Sequence, residues 1–302
     1  MKRNNMLIIL GLNILLAIIT FGVIFGFYRE KSGKKEVASN DMVVKTNETV
    51  VPINTGLTPG PEQSKQPGDL QRPQEISEPE SDRIRKDLDI DKPMVALTFD
   101  DGPHKKVTKK IVKTLSEYNA RGTFFVVGNR IKSAKKVLKY AYDNGNQIGN
   151  HTYEHKRLTL LTKKKIQKQI SKTNKEVEEV TGEGTRLLRP TYGAVNRVVK
   201  ESVDMPMINW NVDSEDWISR NKSSIIKRCK GLRDGDIILM HDIYDETADA
   251  VEGIIKKYKK KDYQFVTVDE LFYYKSVKLT KGTLFFSARQ KISKESKKQK
   301  IK

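Results

Sequence analysis

Met94-Val95-Ala96-Leu97-Thr98-Phe99-Asp100-Asp101-Gly102-Pro103-His104 is the stretch from which the rest of the chain can be read. Residues 94–99 are an apolar, partly β-branched run that stops at a Gly-Pro turn, the pattern of a buried strand. Two adjacent carboxylates follow at once, and they repel one another unless a cation holds both ionised. Taken alone, an Asp-Asp-Gly turn after a strand is also ordinary surface chemistry. The remainder of the chain weighs against that bland reading, because it supplies a spaced histidine pair, an arginine and a further histidine, each just after its own apolar run.

Those runs fall at residues 123–127, 147–150, 186–188, 207–211, 236–240 and 264–266. Stretches with helical spacing lie between them, at 108–118, 133–144, 162–181, 223–232 and 246–260. Alternation of strand and helix predicts parallel βα units. Seven such units fit a small or distorted βα barrel, while an open doubly wound sheet satisfies the same periodicity. The reactive residues keep one phase: Asp100 and Asp101 follow the first strand, His151 the third, Arg189 the fourth, Asp213 and Asp216 the fifth, and His241 the sixth. All sit at carboxyl ends of strands, the face on which barrel active sites assemble.

His151 and His155 are four residues apart, a spacing that predicts two imidazoles on one face of a helical turn. The chain has only four histidines, and the fourth, His104, is given no role. With Asp101 the pair supplies two nitrogens and one oxygen, leaving an open position as in catalytic zinc sites. Zinc suits that set, and cobalt or nickel would also fit. Arg189 is the candidate cation for keeping Asp100 ionised. The carboxylates of residues 213–216 face His241, and a carboxylate bonded to an imidazole keeps it protonated near neutral pH, as a general acid must be. The ordinary alternatives are a surface ion pair for Arg189, core packing for Trp217 and barrel packing for Leu239. Two acid–base partners flanking one metal point to hydrolysis with a leaving group that needs a proton.

Taken together, Thr98-Phe99-Asp100-Asp101-Gly102-Pro103, His151-Thr152-x-x-His155, Arg189-Pro190-x-Tyr192, Asp213-x-x-Asp216-Trp217 and Leu239-x-His241 resemble, in order, the five motifs of the polysaccharide deacetylase family. That family is also called the NodB-homology domain or carbohydrate esterase family 4. The resemblance spans residues 92–272 and implies a distorted (β/α)7 barrel and metal-dependent removal of N-acetyl groups from amino-sugar polymers. It implies Asp100 as catalytic base oriented by Arg189, and Asp101, His151 and His155 as metal ligands. It further implies the Tyr192 N–H as oxyanion donor, His241 as general acid tuned by Asp216, and Trp217 with Leu239 as walls of an acetyl-methyl pocket. Thr191 departs from the family's usual proline, which bears on the loop that carries Tyr192.

The 302 residues carry a net charge of +19 and a pI near 9.7, so an anionic partner is expected. Nucleic acid is not expected, because there is no phosphate loop or zinc finger and the aromatics do not alternate with basic residues. The lone Cys229 excludes an intrachain disulfide and reads as a structural helix position. Residues 1–5 are basic and read as a cytoplasmic terminus; residues 6–28 are uncharged and long enough to span a bilayer, without a small-x-small cleavage site. The expectation is a single-pass anchor in the cell membrane with the remainder extracytoplasmic, on the cell-wall side. Six of the ten prolines fall between Pro52 and Pro79, so residues 29–90 read as a disordered tether. Residues 91–274 are then the catalytic domain. The lysine-rich tail, 275–302, reads as a solvated end, with electrostatic contact to anionic wall polymers or lipid headgroups as the sharper alternative and a short strand at 283–286 within it. The functional expectation is a membrane-tethered metal hydrolase that deacetylates N-acetylglucosamine residues of a cell-wall polysaccharide, peptidoglycan first. The same chemistry on chitin, poly-N-acetylglucosamine or xylan is the alternative. A non-catalytic wall-binding protein on this scaffold is a third reading, and the filled catalytic positions argue against it.

Overall fold

The computed structural model describes residues 83–289. Strand β1 (Met94–Asp100) is buried along its whole length, and its side chains divide by the two-residue period of a strand. Val95, Leu97 and Phe99 join an apolar cluster with Ile111, Leu115 and Val251. Met94 and Ala96 join a second cluster with Phe125, Ile208 and Ile237. The inner row continues through Thr98 to Asp100, so apolar packing gives way to polar chemistry at the carboxyl end.

Around β1 run strands β2 (Gly122–Val126), β3 (Gln147–Asn150), β4 (Met207–Ile208), β5 (Val212–Asp213), β6 (Asp236–His241), β7 (Gln264–Phe265) and β8 (Leu284–Phe285). The helices are α1 (Val107–Glu117), α2 (Gly128–Asp143), α3 (Lys163–Thr181), α4 (Arg197–Ser202), α5 (Asp216–Ser219), α6 (Lys222–Arg228), α7 (Asp245–Lys259) and α8 (Val268–Tyr274). As the spacing predicts, α1 buries Ile111, Val112 and Leu115, and α2 buries Val137, Leu138 and Ala141. The main sheet runs β3-β2-β1-β6-β5, with β7 also on β1, and β4 pairs with β8. Every strand pairing among the described residues is parallel, as the βα alternation requires. Register then aligns the site: Asp100 lies opposite His241, and Thr98 opposite Leu239.

Three expectations are corrected. The strand at 186–188 shrinks to parallel bridges from Leu188 to Asn150 and to Met207. The single strand at 207–211 is split into β4 and β5, because the Ile208 and Asn209 carbonyls turn to accept from the Arg189 side chain. The domain also extends past both composition-based limits. Arg85, placed in the tether, is buried and forms a two-pronged ion pair with Glu270 (2.8 and 3.0 Å) while donating to the Asn119 and Phe265 carbonyls. At the other end, residues 275–289 fold back: β8 pairs with β4, Ala288 is buried, and its N–H donates to the Gly235 carbonyl at 2.9 Å. No helix among the described residues is long and apolar enough to cross a membrane. The anchor expected at 6–28, the tether up to residue 82 and the last lysines, 290–302, lie outside the described residues.

Candidate active site

Asp101 leaves the end of β1 with φ of 74°, a left-handed conformation unusual for a residue with a side chain, and this turns its carboxylate toward the histidines. His155 Nε2 lies 3.1 Å and His151 Nε2 3.7 Å from Asp101 Oδ1. One donor atom from each of the three residues falls within 4.8 Å of the other two. The expected helical turn is absent. Residues 151–157 form a loop in which Thr152 and His155 have φ of 66° and 54°. Polar side chains fold it: Asn150 Oδ1 accepts from the Thr152 N–H at 2.8 Å, and Gln169 Oε1 accepts from the N–H groups of Tyr153 and Glu154.

These residues fit a divalent ion. Asp101 Oδ1 is buried and has no hydrogen-bond partner, an orphaned charge that a cation would satisfy. His151 Nδ1 lies 2.8 Å from the Arg189 carbonyl. That contact fixes the proton on Nδ1 and leaves the Nε2 lone pair facing Asp101. Burial holds the His151 pKa down at about 3, so the ring stays neutral, as a ligand must.

Asp100 stands on the inner row beside this cluster, with Oδ2 3.7 Å from His151 Nε2. Its Oδ1 accepts from Arg189 Nη1 at 2.8 Å. Arg189 is no surface ion pair: it is fully buried and also donates to Thr98 Oγ1 (2.7 Å) and to the Ile208 and Asn209 carbonyls (3.0 Å each). The Phe125 ring packs 4.2 Å from the guanidinium carbon. Gly149 makes room for that ring, since a Cβ there would meet it at 2.4 Å. Burial raises the Asp100 pKa, and the charges of Arg189 and His241 oppose the rise.

On the other side, His241 Nδ1 meets Asp216 Oδ1. Burial alone would lower the imidazole pKa, but the hydrogen bond and charge of Asp216, with Asp100 and Asp101 beyond, raise it to about 9. Of the two aspartates expected near it, Asp216 takes this role. Asp213 instead accepts the Glu215 N–H at 2.8 Å, and burial raises its pKa. Tyr192 is in a left-handed conformation (φ 60°) in the middle of a one-turn 3-10 segment, Thr191–Gly193. Its ring meets His155 edge-on at 5.0 Å. Thr191, at the position of the family's usual proline, is buried and anchors the loop through its hydroxyl to the Lys156 carbonyl at 2.7 Å. Leu239 is buried on β6, and Trp217, whose backbone N–H donates to Asp216 Oδ1, is half exposed.

Sequence reasoning passed over three residues. Thr98 fixes Arg189, Thr247 donates to Asp216 Oδ2 at 2.6 Å, and Asp242 lies buried under the Asp100–Gly102 turn. The Asp242 N–H donates to the Asp100 carbonyl at 3.2 Å, and its carboxylate takes the space that a Gly102 side chain would fill. Nothing local marks Thr247, whereas Thr98 opens the first of the quoted motifs and Asp242 adjoins His241.

Comparison with known proteins adds to this geometry. A family model described as polysaccharide deacetylase matches residues 87–207. The chain is 41% identical over 179 residues to the peptidoglycan-N-acetylglucosamine deacetylase PgdA of Listeria monocytogenes, covering 59% of this chain and 38% of that protein. It is 40% identical over 185 residues to the peptidoglycan-N-acetylmuramic acid deacetylase PdaC of Bacillus subtilis, covering 61% and 40%. The chain thus spans about two-fifths of the length of these curated relatives. The solved structure of PdaC superposes with a TM-score of 0.61 at 40% identity, covering 63% of this chain and 94% of the solved one. A family 4 acetyl xylan esterase from Clostridium thermocellum, in complex with a cobalt ion, gives 0.62 at 31% identity, covering 65% and 100%.

Proposed function

The chain belongs to the polysaccharide deacetylase family, and from that membership we propose that it removes N-acetyl groups from N-acetylglucosamine residues of peptidoglycan by metal-dependent hydrolysis. One observation carries the reading: a three-donor cluster is flanked by a carboxylate held by a buried arginine and by an imidazole held by a buried carboxylate. The named activities of PgdA and PdaC support the polymer.

A divalent cation held by Asp101, His151 and His155 would polarise the acetyl carbonyl and lower the pKa of a water at the site; zinc suits the donors, and cobalt is found in a relative. Asp100 takes the proton of the attacking water, and Arg189 holds the carboxylate in position. The Tyr192 N–H, in the middle of the Thr191–Gly193 turn, is the donor offered to the carbonyl oxygen as it gains charge. His241, protonated through Asp216, gives its proton to the departing amine. Leu239 and Trp217 line the place of the acetyl methyl. The sheet is read as the distorted (β/α)7 barrel, a reading supported by the bridges that run from Asn150 through Leu188 to Met207. Residues 6–28 are read as the membrane anchor that holds the domain on the cell-wall side, a reading supported by their uncharged run.

The test is a mass-spectrometric digest of wall polymer after exposure to the full-length chain, with and without chelator. Loss of one acetyl group from N-acetylglucosamine, abolished by chelator and restored by zinc, is the expected result. Intact acetylation with the metal-loaded protein would overturn the proposal, and loss confined to N-acetylmuramic residues would move it to the other sugar.

A further inference from the structure

Two hollows that share Lys105, Ser133 and Ala134 form a groove between the start of α1 and α2. Its near end is Pro103 and His104, two and three residues beyond the metal donor Asp101, and its far end reaches Tyr140. The floor passes Ala134, where α2 departs from helical geometry (φ −137°, ψ 26°) and so opens a notch in the helix. The walls are strongly cationic. Lys105, Lys106 and Lys109 line one side, and Arg130 and Lys136 the other. Two further lysines, Lys132 and Lys135, lean away to Glu176 and Glu179 of α3. Lys105, Lys106, Lys109 and Lys136 pair with no carboxylate among the described residues, and Asp245 is the one acid lining the groove among them. Arg130 ties the groove to the site directly, because its guanidinium donates to the Asp101 carbonyl.

Like charges held this close repel one another, and that repulsion is relieved when an anion enters. A neutral amino-sugar strand has no use for such a channel. A concave track between two helices suits a single extended chain better than the plane of a membrane, and Arg130, at its near end, bonds to the Asp101 carbonyl. From this placement we infer that the groove seats carboxylate groups carried by the same glycan strand on which the site acts. The inference rests on the deacetylase reading above and deepens it: the preferred substrate is an acidic strand bearing lactyl or peptide carboxylates, and the neutral polymer is the poorer one.

Two oligomers of equal length test it on the full-length chain: N-acetylglucosamine alone, and N-acetylglucosamine alternating with N-acetylmuramic acid. Acetate release gives kcat and KM for each at low and high salt. Lys105→Ala/Lys109→Ala/Lys136→Ala removes three exposed contacts worth a factor of about two each, so KM for the acidic strand should rise about eightfold at low salt. High salt should raise the wild-type KM for that strand and leave the variant nearly unaffected, since the screening length shrinks from about 10 Å at 0.1 M to about 3 Å at 1 M. The neutral strand should show little of either effect. Lys164→Ala/Lys168→Ala/Lys175→Ala, which removes equal charge from α3, should behave as wild type on both. An equal rise in KM for both strands would overturn the inference, as would no rise for either. Competition by a soluble phosphodiester polymer that is lost in the groove variant, with acidic and neutral strands handled alike, would assign the groove to a separate polyanion and also overturn it. Absence of turnover on either strand by the metal-loaded wild type would instead remove the deacetylase reading.

Discussion

His241 Nδ1 lies 2.8 Å from Asp216 Oδ1, while the backbone N–H of the same histidine donates to Asp216 Oδ2 at 2.7 Å. One carboxylate therefore fixes both the position of the residue and the direction of its ring, and Nε2 is the nitrogen left to act. The imidazole pKa is raised from 6.5 to about 9. Its share of stability is thus complete below about 6.5 and is lost as pH rises through about 9. The Asp216 carboxyl is depressed, since the His241 contacts outweigh burial, so its share is present above the ordinary carboxylate value and is lost in acid. Asp216→Asn should bring the alkaline limb of the kcat profile toward neutrality and reduce kcat at pH 8 by about 10²-fold or more. In thermal unfolding, the gap between wild type and variant should be wide at pH 6 and narrow at pH 10. An unchanged alkaline limb would remove Asp216 from the tuning role.

In the proposed mechanism Asp100 transfers a proton and His155 holds the metal. Asp100→Asn keeps an oxygen for Arg189 and leaves all three metal donors in place. It should reduce turnover by about 10²–10⁴-fold with metal content unchanged after dialysis. His155→Ala removes one donor and should lose metal and activity together. Elemental analysis of both variants beside acetate release separates the roles, and a fully loaded His155→Ala enzyme would contradict the ligand assignment.

The parts legible in the sequence are those with a local period. The inner and outer rows of β1 follow the alternation of Met94 to Phe99, and Ile111, Val112 and Leu115 mark the buried face of α1. Asp101, His151, Arg189 and His241 are legible as candidates because each closely follows an apolar run. What escaped depends on partners far along the chain. Arg85 looks like tether until Glu270, 185 residues later, is beside it. The His151–His155 loop follows no helical period because Gln169, from α3, accepts its N–H groups. The break between β4 and β5 reflects two carbonyls drawn to Arg189, a demand invisible in residues 207–213 themselves.

Beneath the Asp100–Gly102 turn, the Thr108 hydroxyl donates to Asp242 Oδ2, and Asp242 Oδ1 has no partner. Burial raises this carboxyl from 3.8 to about 7. A raised acid makes the native state hold its proton longer than the unfolded chain, so stability should fall as pH rises from about 4 to about 7. Asp242→Asn should flatten that slope in urea titrations of the metal-free protein. Gly102→Ala tests the same packing from the other side, because its Cβ would stand 2.1 Å from Asp242 Oδ2. It should lower both metal affinity and kcat at least about tenfold, an overpacking effect acting on the turn that carries Asp101. Wild-type metal affinity in Gly102→Ala would show that the turn yields without cost.

Arg85 belongs to the fold and not to the chemistry. It holds Glu270 with two prongs and also reaches the Asn119 and Phe265 carbonyls near the amino ends of β2 and α8, away from the carboxyl-end face of the sheet. Glu270 in turn closes the capping box at the start of α8 and accepts from Arg121 at 3.3 Å. Arg85→Met would leave that carboxylate buried with Arg121 as its remaining cation. Breaking a buried pair from one side costs about 3–5 kcal/mol, and the surviving Arg121 contact places the expected loss at the lower end of that range. For a domain of this size the melting temperature should fall by roughly 6–12 °C. At a temperature where both proteins remain folded, kcat and KM on an N-acetylglucosamine oligomer should match wild type. A melting temperature within about 2 °C of wild type would mean that residues 83–90 contribute little to stability, and the domain would then begin at β1.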